Sequence, residues 1–503
     1  MQDHPTANPD GKGLAKGSMG FLAIATLGIS TVAPAYALTA TMGPTVAVTG
    51  AQMPAVFLVG FLPMLLVALG YRELNADSPD SGTSFTWATK AFGPYIGWLG
   101  GWGLVSASVI VLSNLAGIAV EFFYLLVSEI LRVPAIAGWN DIPAVNIPTC
   151  LVFMAAAVWV CYRGATTTKA VQYTLVGLQI LALVWYSLAA WHSAGRTPVL
   201  PFDWNWLNPF AIGSFAAFAA GVSLSIFIYW GWDVCLTLNE ETKNGASTPG
   251  LAAGVVIFVI LALYLAVSIS TMRFAGLGDT GLGLDNPAMR ENVLAETAIP
   301  VMGPFALLVA IAVLASSVSS LQATFVSPAR TLLAMGHYRA IAERFAWIHP
   351  RYHSPGFATI VAGLVAGGFY SVMHAVSDHV LADTILTLGM MVCFYYGLTA
   401  FACVFYFRKT LFLSARNFFL RGLAPTVGGL SLATVFIETA LDSMDPAYGS
   451  GSSVFGIGLV FLLAVGIILL GVTIMLVISW RRPGFFHGET LRRDTPAFSS
   501  AEK

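Results

Sequence analysis

The chain has 503 residues, 57% of them hydrophobic and only 10% charged, with a mean hydropathy of +0.77 and a net charge of −1. A soluble domain carries about 25% charged residues, so this composition marks an integral membrane protein. The near-zero net charge offers no basic surface for nucleic acid, and the lack of a Gly-rich phosphate loop argues against direct use of ATP.

A bilayer crossing takes about 20 residues. Twelve stretches are apolar over that length: Ser18–Val48, Met53–Tyr71, Tyr95–Val127, Asn146–Tyr162, Ala170–Trp191, Pro209–Leu238, Pro249–Met272, Val301–Ser327, Phe357–His374, Val380–Phe407, Leu423–Leu441 and Val454–Trp480. Residues 1–17 then form a cytoplasmic tail, 18–480 a twelve-helix domain, and 481–503 a short, polar, mobile cytoplasmic tail. Lys12 and Lys16 followed by an apolar run and Ala35-Tyr36-Ala37 have the grammar of a cleaved signal peptide. The apolar character continues through Val48, which favours a retained first span.

The basic residues test this count. With both termini inside, twenty of the 24 Lys and Arg fall in inside segments, and only Arg132, Arg196, Arg273 and Arg290 fall outside. A wrong count would scramble that alternation, so the positive-inside rule supports twelve spans and their orientation; the expected location is the plasma membrane. The longest outside segment, between the seventh and eighth spans, carries Asp279, Asp285, Glu291 and Glu296.

Two spans are expected to be discontinuous. In the first, Thr31-Val32-Ala33-Pro34-Ala35-Tyr36 contains a proline, which removes a backbone donor and clashes with the preceding turn. In the sixth, Phe227–Glu241 reads FIYWGWDVCLTLNEE, with Gly231 and Asp233 in mid-membrane. If the first ten spans form two five-span halves, about 18–192 and 209–407, with peripheral helices at about 423–480, these breaks occupy corresponding positions. Such a pair points to a transporter site, because half-helix ends offer unpaired N–H and C=O groups to a substrate. A proline kink and a tolerated glycine are the simpler alternative.

An ionisable residue within a span is a functional candidate. Asp233 has three readings: it binds a substrate amine, takes up the coupling proton, or hydrogen-bonds unwound backbone. Glu121, in the third span, lies toward the outer end and can reach water. Tyr36, Phe227, Tyr229, Trp230 and Trp232 crowd the breaks. Aromatics there can wall a pocket or hold a cation against a ring face, with Phe227 as a gate. Ser316-Ser317-Val318-Ser319-Ser320 in the eighth span could ligate sodium, bond to backbone carbonyls, or pack helices closely. The five cysteines lack metal-ligand spacing and read as small core hydrophobes. His337, His349 and His353 lie in a basic inside loop and need no metal. Glu240-Glu241 reads as a solvated charge cluster at a helix end.

Tyr229–Asn244, YWGWDVCLTLNEETKN, resembles the sixth-span signature of the amino acid–polyamine–organocation permeases. Pro79–Pro94 is similar to that family's segment between spans two and three, and Ser327–His353 to its loop after span eight. The matches come in order and cover spans one to ten. The resemblance implies two inverted five-helix repeats of the leucine-transporter type, two peripheral helices, and uptake or exchange of amino acids or amines. Two features depart from the family pattern. Many members break the first span with a Gly-Ser-Gly-type motif whose amides hold the substrate carboxylate, whereas here it is Val32-Ala33-Pro34-Ala35, which opens amines or polyamines as an alternative substrate class. Some proton-coupled members carry a lysine in the fifth span at a position that, counted from Gln172, is Gln179 here. A neutral Gln carries no proton, and weight shifts to Asp233 or to exchange.

The sequence therefore predicts an all-α secondary transporter, not an enzyme, with no cofactor beyond a proton or sodium ion as coupling ion. Thr31, Val32, Ala33, Pro34, Ala35 and Tyr36 face one end of the substrate. Phe227, Tyr229, Gly231, Trp232 and Asp233 face the other, with Asp233, Gln179, Ser316 and Ser317 as coupling candidates. A membrane nutrient sensor binding the same ligands is the rival reading. An ion channel is a weaker third, since a continuous polar stripe along one span is missing.

Overall fold

A computed structural model describes residues 11–195, 198–290, 292–376 and 380–496. Arg196, Glu291 and Lys503, counted in the loop charges, lie outside the described residues. In chain order the helices are α1 (Phe21–Val32), α2 (Pro34–Thr49), α3 (Met53–Asp77), α4 (Ser84–Phe92), α5 (Pro94–Leu131), α6 (Pro143–Tyr162), α7 (Ala165–Ala194), α8 (Phe215–Ile228) and α9 (Val234–Thr237). There follow α10 (Thr248–Ala275), α11 (Val293–Met302), α12 (Leu307–Thr324), α13 (Val326–His337), α14 (Gly356–Val376), α15 (Val380–Tyr406), α16 (Ala415–Asn417), α17 (Ala424–Asp442), α18 (Leu459–Arg481) and α19 (Pro483–Phe486). Among the described residues the sheet content is one hairpin, β1 (Ser453–Val454) with β2 (Ile457–Gly458). Hydrocarbon cannot satisfy a bare backbone, so the apolar runs fold as helices that bond internally.

Among the described residues, length and apolar character alone mark ten membrane-crossing segments. The first of these, Phe21–Asp77, is interrupted at Ala33 and again at Gly50–Gln52, where Gly50 has φ +58°. Ten is two short of the twelve expected; twelve is reached only by splitting this segment at Gly50 and by counting the short, interrupted stretch from α8 to α9 as a crossing. The eighth span does not stop near Ser327. Its helix runs on with a slight offset at Phe325 into α13, which lies over the basic face.

The breaks sit at the centre of the packing. α1 packs on α10, α12 and α7, and α2 on α8 and α12. α15 packs against α3, α5 and α17, and against α8. Met42, Tyr71, Leu104, Phe122, Trp232, Val256 and Leu321 belong to the one large buried cluster that runs through these helices.

Two expectations about the basic face are overturned. The tail after Trp480 is not mobile as far as it is described. Phe485 and Leu491 are 0% and 2% exposed, Phe485 stacks on Phe85 at 5.5 Å, and Phe486 lies 4.9 Å from Tyr95. Lys90 Nζ donates to the Thr495 carbonyl (2.7 Å) and Thr490 Oγ1 to the Tyr338 carbonyl (2.5 Å). The tail is polar on average, but its Phe pair and Leu491 have an apolar surface on Phe85, Trp98 and Met335 to cover. Nor is Glu240-Glu241 solvated: Glu241 is buried and pairs with Arg330 of α13 (Nε to Oε2, 2.6 Å), while Glu240 accepts from Lys12 Nζ at 2.5 Å. Carboxylates enter such a place only when cations and donors come with them, and the loop and the N-terminal segment supply both.

Candidate functional site

The first break is a left-handed joint. Ala33 has φ 55° and ψ 62°, ends α1 by donating its N–H to the carbonyls of Ile29 and Ser30, and precedes Pro34 at the first position of α2. Proline costs nothing there, because that N–H has no intrahelical partner in any helix. The two half-helices are held by α12: Ser320 Oγ donates to the Thr31 carbonyl (2.9 Å), and the Tyr36 N–H donates to Ser316 Oγ (3.4 Å). Ser317 bonds back to the Val313 carbonyl within its own helix. Gln179 Nε2 reaches Ser319 Oγ at 3.4 Å, and Gln172 Nε2 reaches the Ser319 carbonyl, so α7 meets the same hydroxyl row.

The second break spans Tyr229–Asp233. The chain turns through three-residue bonds (Trp230 N–H to the Phe227 carbonyl, Val234 N–H to the Gly231 carbonyl), and Gly231 adopts φ +109°. Only glycine reaches that conformation without strain. Space also demands it: a Cβ on Gly231 would lie 2.8 Å from Thr31 Cγ2 and 3.0 Å from the Thr31 carbonyl carbon. The two breaks therefore touch, backbone against backbone. Tyr264 Oη of α10 donates to the Ile228 carbonyl (2.6 Å) and satisfies the freed end of α8.

Asp233 is 2% exposed. Tyr396 Oη donates to its Oδ1 (2.9 Å) and Tyr395 Oη to its Oδ2 (3.2 Å), both from α15. Among the described residues it forms no ion pair. A single carboxylate in such a place is costly when ionised unless its charge is met by hydrogen bonds, a proton or a cation.

The aromatic residues divide. Tyr36 and Phe227 meet edge to face at 6.2 Å beside the breaks. Trp232 packs against Tyr71 (5.1 Å) and Tyr396 (5.0 Å), with its indole N–H buried and unpaired. The Tyr229 ring turns the other way, toward Phe61 and Tyr264, and its hydroxyl donates to the Phe57 carbonyl (3.2 Å). Ser30 Oγ and Tyr36 Oη are further buried polar atoms without partners near the first break. Val32 and Ala35 are buried there as well. Glu121 stands apart: it accepts from Asn292 Nδ2 (2.9 Å) in the segment preceding α11.

On the basic face the breaks are sealed. Lys12 Nζ, its side chain fully buried, pairs with Asp80 Oδ2 (2.9 Å) and Glu240. Asp80 also accepts from Tyr338 Oη (2.7 Å), Thr86 Oγ1 and the Gly82 N–H. Burial alone would push the Asp80 carboxyl up; the Lys12 ammonium and these donors outweigh it and hold the group down at about 2. Burial opposes the Lys12 charge too, yet the two carboxylates keep its pKa above the ordinary lysine value. Met19 joins the seal by bonding to the Glu241 carbonyl through its N–H (3.0 Å).

Sequence reasoning did not find Tyr395, Tyr396, Lys12 or Asp80 as parts of this assembly, and it named Ser320 only as one of the serine row. The adjacent tyrosines in the tenth span and the fourth hydroxyl of the serine row were the available signals. Among the described residues there is no cluster of His, Cys, Asp and Glu able to hold a metal.

A multi-pass helical protein with two touching breaks at its centre belongs structurally with membrane transporters of the leucine-transporter fold. MhsT, solved in complex with L-phenylalanine, aligns over 82% of this chain and 98% of its own with a TM-score of 0.57 at 17% identity, which is a likeness of fold. The profile described as "Amino acid permease" matches residues 19–453, and the chain belongs to that family. It is 26% identical over 267 residues to the branched-chain amino acid permease BcaP of Lactococcus lactis, covering 50% of this chain and 56% of that one. It is 25% identical over 348 residues to the methylthioribose transporter of Bacillus subtilis (67% and 72%), and 23% identical over 345 to the vacuolar cationic amino acid transporter 4 of Arabidopsis thaliana (67% and 56%). The chain thus spans little more than half the length of two of these relatives.

Proposed function

We propose that this protein is a secondary transporter of amino acids or related amines, coupled to protons or to exchange. It sits in the plasma membrane with both termini cytoplasmic, and its two repeats rock about the paired breaks. The observation that carries the reading is Asp233: a buried carboxylate without an ion partner among the described residues, on unwound backbone that touches the break in the first span. Such a charge is met by hydrogen bonds, by a proton or by a substrate cation, and either of the last two links occupancy of the site to transport. The names of the permease relatives and the phenylalanine complex of MhsT support amino acids as substrates. The missing N–H at Pro34 supports an amine or polyamine as the second reading, because a carboxylate loses a donor at that position.

The test is uptake of radiolabelled amino acids into proteoliposomes, with and without an imposed pH gradient, for wild type and Asp233→Asn. The reading expects gradient-driven accumulation that the variant loses. Full pH-driven accumulation by the variant refutes Asp233 as proton carrier. Ligand binding without any net flux supports the sensor instead. A thermal-shift screen over amino acids, diamines and short amines selects the substrate, since a ligand bound only by the folded state stabilises it.

A further inference from the structure

The hydrogen atoms around Asp233 have directions that the geometry fixes. Trp230 Nε1–H lies 2.6 Å from Tyr395 Oη, and the Gly231 N–H lies 3.4 Å from Tyr396 Oη. An indole N–H and a backbone N–H can only donate. Each tyrosine oxygen is therefore an acceptor on one side, and its own hydrogen is free to point at the carboxylate. Two neutral donors, each polarised by an obligate donor behind it, converge on the two oxygens of one buried carboxyl group. Both polarising donors and the carboxylate belong to the broken segment, and both tyrosines belong to α15.

We propose that Tyr395 and Tyr396 are positioning residues that hold the ionised Asp233 carboxylate and tie its protonation to the contact between the broken sixth span and α15. The proposal rests on the transport reading above and deepens it. The ionised group accepts from both hydroxyls, so the segment is fastened to α15 at two points. When a proton binds to one Oδ on the lone pair that faces its tyrosine, the carboxyl charge goes from −1 to neutral and that oxygen becomes a donor. It then faces a hydroxyl whose hydrogen already points at it. That hydroxyl must turn its hydrogen away, and one of the two fastenings is exchanged for a bond of opposite direction. The tyrosines keep their protons throughout; what changes is how firmly residues 229–233 are held to α15.

The surroundings leave this duty to the tyrosines. Among the described residues, the titratable side chains facing Asp233 are Tyr71 of α3, Tyr395 and Tyr396 of α15, and Cys235 of its own segment. The part of α1 that meets Gly231, two residues before Asp233, offers Thr31, which does not titrate. Tyr71 is tied elsewhere, through Ser84 Oγ at 2.9 Å, and supplies ring edges to Trp232 and Tyr396. Among the described residues no ammonium or guanidinium shares the carboxylate.

The test uses the full-length protein and needs no substrate. Infrared spectra collected along a pH titration, minus those of Asp233→Asn, isolate the Asp233 carboxyl band. Tyr395→Phe and Tyr396→Phe each remove a single hydroxyl, and thermal unfolding in detergent checks that each variant is folded. Each is expected to displace the titration midpoint of that band by about one pH unit, the scale of one hydrogen bond to a charged group. A midpoint unchanged in both folded variants overturns the proposal, because a merely packing role would leave it in place. A displaced midpoint in a protein whose uptake ignores the pH gradient upholds the positioning role and removes the proton-coupling reading.

Discussion

Lys12→Met tests the seal on the basic face. The lysine is buried between Asp80 and Glu240, and methionine keeps its unbranched shape, one atom shorter, without its charge. Removing one partner from a buried ionic cluster costs about 3–5 kcal/mol, because the remaining charges are left uncompensated. Asp80 keeps donors from Tyr338, Thr86 and Gly82, and Glu240 keeps the Ser81 N–H. The loss therefore falls at the low end, about 3 kcal/mol. It is felt only while the seal is closed, since an open seal exposes both carboxylates to water. The closed-to-open equilibrium should shift by about a hundredfold, at 1.4 kcal/mol per factor of ten. Cys235 reports it. The thiol is wholly buried between α9 and α1, close to the Ile24 carbonyl and Gly28. With the other four cysteines replaced by alanine, its labelling by a thiol reagent applied from the basic face measures how often α1 and α9 part. When opening is fast relative to labelling, the rate follows the open population. Labelling of the folded variant within twofold of the parent would refute the seal as described.

Three further outcomes are expected. Gly231→Leu should abolish ligand binding in a folded protein, since its Cβ would enter the Thr31 backbone at a φ that L residues avoid; surviving binding in a scintillation assay places the site elsewhere. Phe485→Ala should lower stability by about 3 kcal/mol, the lower range for deleting a buried aromatic ring, seen as a fall in Tm; an unchanged Tm would mean that the tail is not docked. The Lys12–Asp80 pair should be charged at neutral pH: the depressed Asp80 carboxyl contributes stability above its ordinary pKa of 3.8 that is lost as pH falls toward about 2, and the raised Lys12 contributes stability that is lost only above 10.5. Cys235 labelling in Lys12→Met and wild type should therefore differ by the same factor at pH 5 and pH 8, and a factor that collapses between them would show that the pair titrates there.

The spans were legible because hydrocarbon demands long apolar runs, and the breaks because Pro34 and Gly231 have few other uses within such runs. The partners of the breaks were not. Tyr395 and Tyr396 lie over 160 residues from Asp233 along the chain, and a tyrosine pair inside an apolar span looks like packing. Lys12 entered the sequence argument as one inside charge and as the basic start of a signal-peptide pattern, since nothing local to it says that Asp80 and Glu240 converge there. Glu240-Glu241 looks solvated because neighbouring acids repel; only the fold shows that each has its own cation. Phe485-Phe486 was the visible exception in a polar tail, and average polarity concealed it.

Ala33 carries a mechanical consequence. Glycine at such a joint would wander among several backbone basins, and its half-helices could tilt in many directions. Alanine adopts this left-handed conformation only at a small standing strain, imposed by the packing around it, while the next residue, Pro34, disfavours the right-handed α region for it and has its own φ locked. The joint in the first span is thus stiff, with little play of its own. On the transport reading, motion about the site would come from whole half-helices sliding past α12 and α10 as solid pieces, and a ligand of the wrong length would find no slack to borrow.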